Sequence, residues 1–90
     1  MSNVVKTGAP VRVSASGVIR YGNCNLIGVI VNSTTSGTIT LYDEVSATGT
    51  AFVAAIAPTA GTYVPIPASC AKGIYFALAN TMNVTFFVAD

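Results

Sequence analysis

The chain has 90 residues, of which 52% are hydrophobic and only 8% charged, with no His, no Trp and a net charge of +1. A typical soluble domain is roughly 25% charged, so the polar surface here falls to Ser, Thr and Asn. General acid–base and triad chemistry, which most often uses His, has no imidazole to run on. The length allows one domain.

Residues 1–10, MSNVVKTGAP, show no alternation and carry Gly8 and Pro10. They read as an N-terminal arm that orders on a neighbour, with the domain proper at 11–90. The segment has one Lys and no apolar stretch, so it does not read as a secretory signal. Thirty of the 90 residues are Val, Ile or Thr, which pack well on pleated sheets and lose rotamer freedom in helices. Val11 to Ser16 alternates, with Val11, Val13 and Ala15 on one face, and Gly17 breaks the run before Val18–Tyr21. Leu26–Val31 is apolar on both faces apart from Gly28 and reads as a central strand with a bulge or close approach at the glycine.

The polar cluster 32–37 reads as a turn, and Ile39 and Leu41 then alternate with Thr38, Thr40 and Tyr42, so residues 26–42 are expected to form a β-hairpin. Residues 50–57 are read as a short strand. Tyr63–Pro67 holds two prolines and reads as an edge strand or an extended segment. Ile74, Phe76 and Leu78 share one face of the next strand, 80–83 reads as a turn, and Val84, Phe86 and Val88 point inward from the last. About eight short strands with turn signals between them predict an all-β fold, a small antiparallel β-sandwich or jelly-roll-like barrel.

No motif for a cofactor or metal is present. There is no phosphate-binding glycine loop, the four cations are too few and scattered for a nucleic-acid stripe, and Asp43 and Glu44 read as solvated loop charges rather than a catalytic pair. The longest apolar run, Ala51–Ala57, is far short of the roughly 18 residues a membrane helix requires. Cys24 and Cys70, 46 positions apart, fit neither a redox nor a zinc motif and are expected to be buried and unlinked. Tyr42, Tyr63, Tyr75 and Phe87 lie opposite the core face of their own strands. Aromatics are enriched at interfaces where charge is depleted, so Tyr42, Tyr75 and Phe87 are candidate contacts, with Val4 and Val5 of the arm.

The segments GVIVNSTTSGTITLYD (28–43), PTAGTYVPIP (58–67), GIYFAL (73–78) and NVTFFVAD (83–90) resemble small all-β structural proteins encoded in the virion-morphogenesis regions of tailed bacteriophages. Some of these serve as capsid decoration or cement proteins. The resemblance implies a non-enzymatic virion protein, made in the host bacterial cytoplasm, that binds the major capsid protein or other virion proteins as a homo-oligomer, with a trimer favoured. It implies no cofactor, nucleic acid or membrane. The rival expectation is a tail or head-fibre module that binds a host receptor or glycan.

Overall fold

In the computed structural model, which describes residues 9–89, six strands follow one another: β1 Ala9–Val13, β2 Gly17–Tyr21, β3 Cys24–Tyr42, β4 Val53–Ile56, β5 Tyr63–Cys70 and β6 Gly73–Ala89. No helix occurs among these residues. Every pairing is antiparallel. The long strands β3 and β6 pair with each other from end to end. Along the free edge of β6 lie β1 and β2 in succession, and along that of β3 lie β5 and β4.

This sheet is doubled over. In a straight strand the ten-residue step from Phe76 to Phe86 would span about 33 Å, yet their ring centroids are 5.2 Å apart. Two short crossovers close the open end. Gly22 and Asn23 carry the chain from Tyr21, opposite Gly73 at the start of β6, to Cys24, whose neighbour Asn25 faces Ala89 at its end. Ala71 and Lys72 make the equivalent step from β5 to β6. One layer therefore runs β1, second half of β6, first half of β3, β5; the other runs β2, first half of β6, second half of β3, β4. With β3 and β6 each counted as two segments, the eight segments form layers ordered 1-8-3-6 and 2-7-4-5. That is jelly-roll order, in agreement with the expected fold class.

The expected hairpin at 26–42 and the turn at 80–83 are corrected. Neither cluster reverses the chain: Ser33, Thr34 and Thr35 pair with Asn83, Met82 and Thr81, so β3 and β6 bend side by side and stay paired through the corner. The turn composition serves the bend. Ser36 and Asn80 adopt positive φ (53° and 62°), and the register slips between Thr35 and Thr38. A Cβ at the buried Gly37 would overlap the Met82 side chain, so only glycine fits inside this corner.

Alternation on the long strands builds the core. Leu26, Val29, Val31, Ile39 and Leu41 of β3 and Ile74, Phe76, Val84, Phe86 and Val88 of β6 are all buried, each contributing roughly 1.5–3 kcal/mol. All six residues expected to form the core, Ile39, Leu41, Ile74, Phe76, Val84 and Phe86, are among them. The register slip between Leu26 and Gly28 lets Leu26 and Val29 both point inward despite their spacing of three. At the N-terminal edge, β1 begins at Ala9, so Ala9 and Pro10 of the expected arm already pair with Val88 and Phe87; residues 1–8 lie outside the described residues. The break between β1 and β2 falls at 14–16, and Gly17 opens β2 opposite Phe76. β5 pairs only with β3, so its two prolines do sit on an edge.

Candidate interaction surface

Each layer presents an outward face whose residues follow from the same alternation. On the layer containing β2 and β4, Val18, Tyr75 and Tyr42 form one cross-strand row. The Tyr42 and Tyr75 rings lie 6.0 Å apart and are tilted by 57°. Farther along, Thr40 opposes Ala77 and Thr38 opposes Ala79, a strip of small side chains. The Phe52 amide donates to the Leu41 carbonyl (2.9 Å), which sets Phe52 on the other side of Tyr42 from Tyr75. Phe52 is 40% exposed, and Tyr21 and Val45, both flanking Gly73, are 77% and 45% exposed. This end of the sandwich thus displays aromatic and aliphatic side chains interleaved with Arg20, Asp43, Glu44 and Lys72, four of the five charged residues among those described.

The opposite layer carries a second aromatic pair. Tyr63 and Phe87 are 6.2 Å apart in an edge-to-face arrangement, a favourable geometry worth about 0.5–1.5 kcal/mol. Gly28 lies between them in register with Phe87 and Pro65. A Cβ there would overlap the Tyr63 ring and come within 2.8 Å of the Val64 carbonyl oxygen, so the missing side chain is what lets Tyr63 lie across β3. One rung away is a polar row. Arg12 Nε donates to Asn83 Oδ1 (2.8 Å), and Asn32 Nδ2 donates to Asn83 Oδ1 and to Thr85 Oγ1, both at 3.0 Å. Periodicity alone could not reveal this row, because its four members come from three strands and from positions up to 73 residues apart.

The structure therefore brings Tyr42 and Tyr75 together and places Phe87 on the other face, with Tyr63. Val4 and Val5 lie outside the described residues. Asp43 and Glu44 are more than solvated charges, since both hold the Ala71–Lys72 crossover. Asp43 accepts from the Lys72 amide (2.9 Å) and the Ala71 amide (3.2 Å), and Glu44 pairs with Lys72 Nζ at 3.1 Å. The Lys72 amide bond above all holds the Asp43 carboxyl below its ordinary value, against a smaller opposing effect of burial.

Among the described residues no three His, Cys, Asp or Glu side chains cluster as metal ligands would. A depression between β3 and β5, lined by Asn25, Ile27, Pro67 and Ser69, holds no titratable side chain. Another at the corner, lined by Thr34, Gly37, Pro58 and Thr59, holds none either. No helix among the described residues is long and apolar enough to cross a membrane. Comparison with protein-family models, with curated proteins and with solved structures finds no match to this chain.

Proposed function

We propose that this chain is a non-enzymatic structural protein of a bacteriophage virion, seated on the capsid as a decoration or cement protein and working as a symmetric oligomer, preferentially a trimer. The observation that carries the reading is the cluster at one end of the sandwich of the Tyr42–Tyr75 pair with exposed Phe52, Tyr21 and Val45. Interfaces are enriched in aromatics, and the adjoining Thr38–Ala79 and Thr40–Ala77 strip is smooth enough for another sheet to approach. The sequence resemblance to phage structural proteins supplies the assembly. A copy that binds the closed shell and not its dispersed subunits stabilises the shell by linkage.

The test is to purify virions of a phage carrying this gene, identify the chain by mass spectrometry and locate it by cryo-electron microscopy, with sedimentation of the isolated protein alongside. Copies on the shell in contact through Tyr42, Tyr75 or Phe52 support the reading. A chain missing from virions and monomeric well above micromolar concentration refutes it.

A second reading, a receptor- or glycan-binding module, is favoured by the other face, where the Tyr63–Phe87 pair adjoins the Arg12, Asn83, Asn32 and Thr85 row. An aromatic surface for stacking beside side chains able to bond hydroxyls is what such a ligand requires. Binding of the isolated protein to host cells, abolished by Phe87→Ala and weakened by Arg12→Ala, would support it. Absence of any binding to cells would dismiss it.

A further inference from the structure

The register of β3 and β5 sets Cys24 directly opposite Cys70. Opposed residues in an antiparallel pair have Cα atoms about 4.5–5.5 Å apart, inside the roughly 4.4–6.8 Å span of disulfide-linked cysteines. Opposed side chains share a face, and both of these are buried on the core side at 4% exposure. The 46-position separation that gave no reason for pairing in sequence is thus cancelled by the fold. Neither cysteine is disulfide-bonded in the structure.

We propose that Cys24 and Cys70 are a site of covalent modification: an intramolecular disulfide that ties β5 to β3 once the reduced protein meets a low-molecular-weight disulfide such as oxidised glutathione. One cysteine loses its proton and its thiolate attacks the oxidant, breaking the oxidant's S–S bond, releasing one small thiol and forming a mixed disulfide. The second cysteine, deprotonated in turn, attacks the protein sulfur of that mixed disulfide and releases the second small thiol. The two cysteines together lose two protons and two electrons, and one oxidant disulfide becomes two thiols. The proposal is independent of the virion reading.

The fold also determines when this reaction occurs. Burial, with the nearby Asp43 and Cys24 adding to it, pushes the Cys70 thiol up to about 11, so little thiolate exists near neutral pH and the closed sandwich resists exchange. β5 is the element that can open. It has one neighbouring strand, and Pro65 and Pro67 donate no ladder hydrogen bonds. Oxidation therefore proceeds through local opening of this edge or during folding, and once formed the bond closes the edge. Cross-linking a loop of this length lowers the unfolded chain's entropy enough to raise the folding equilibrium constant about a thousandfold.

The full-length reduced protein is incubated with oxidised glutathione at mildly alkaline pH, one sample kept native and one refolded from urea in the same buffer. Both are then denatured, alkylated without reductant and weighed intact. The expected result is a monomer lighter by two hydrogens with no alkylated cysteine, formed faster in the refolding sample, and with a melting temperature at least 10 °C above the reduced form. Cys24→Ser and Cys70→Ser variants, each folded by circular dichroism, should show no such mass or melting shift. Two alkylated cysteines in both samples, a disulfide-linked dimer as the sole product, or a cross-linked monomer that melts no higher than the reduced chain would overturn the proposal.

Discussion

If β6 doubles back so that its two halves face each other across the core, Phe76 and Phe86 must be energetically coupled. Trimming either ring to Leu keeps an apolar side chain and avoids the full truncation cost of about 3–5 kcal/mol. That larger loss would consume much of the roughly 5–13 kcal/mol expected for a domain of this length. Each single Leu variant should cost about 1–2 kcal/mol. With centroids 5.2 Å apart and planes inclined at 47°, the rings should couple by roughly 0.5–1.5 kcal/mol. The double variant is therefore expected to lose less than the sum of the singles by that amount. Urea unfolding of all four proteins, followed by far-ultraviolet circular dichroism, measures the cycle, provided the m-values agree so that midpoints compare directly. Additivity within about 0.3 kcal/mol, as for distant sites, would mean that the halves of β6 do not meet and that the doubled sheet is wrong.

Gly28→Ala should cost about 1–3 kcal/mol, because the new methyl must displace both the Tyr63 ring and the Val64 carbonyl; an unchanged urea midpoint would place β5 elsewhere. Asp43→Ala should cost about 1 kcal/mol at neutral pH through loss of two exposed amide bonds. Since the folded-state pKa of Asp43 is lowered from 3.8, its contribution is complete above that unfolded value and fades as pH falls through the lower folded one. The variant's midpoint should accordingly drop less on acidification to about pH 3 than the parent's, and an equal drop would remove Asp43 from the crossover's support. In the reduced protein the Cys70 thiol is raised from 9.0 to about 11, so its contribution is complete below the unfolded value and is lost as pH rises through the folded one. Urea titrations across this range should show declining stability in the parent and a shallower decline in Cys70→Ala.

The strands were legible wherever a face alternates, as at Ile39–Leu41 or Val84–Phe86–Val88, because period-two alternation with one apolar side is a local property. The corner at 32–37 was not. Asn, Ser, Thr and Gly permit a bend and a reversal equally, and the difference lies in whether the far side keeps its partner. Here 80–83, equally turn-like, sits alongside and bends in parallel. The edge placement of Tyr63–Pro67 was readable from its missing N–H donors, whereas the meeting of Cys24 with Cys70 depends on register between distant strands. The same holds for the candidate surface. The outward direction of Tyr42, Tyr75 and Phe87 could be read one strand at a time, but their sorting onto opposite layers, the Arg12–Asn83–Asn32–Thr85 row and the exposed cluster of Tyr21, Val45 and Phe52 required the assembled fold. The support that Asp43 gives the crossover was illegible for a similar reason, as its amide partners lie 28 and 29 residues away.

The central position of β6 has a consequence for the order of events on the ribosome. It is the last strand among the described residues, yet it is the hydrogen-bonded neighbour of β1, β2 and β3 and runs through the middle of both layers. Until it emerges, β1 and β2 have no ladder partner, β3 is paired along one side only, and half of the buried face has nothing to cover it. Ala9 must wait for Val88, translated 79 positions later. The nascent chain therefore carries open strand edges and apolar side chains throughout its synthesis, the condition under which β-rich chains associate with one another or engage chaperones. Completion is abrupt, since one strand closes both layers at once, and folding limited by such distant pairings is expected to be slow for a chain of this size.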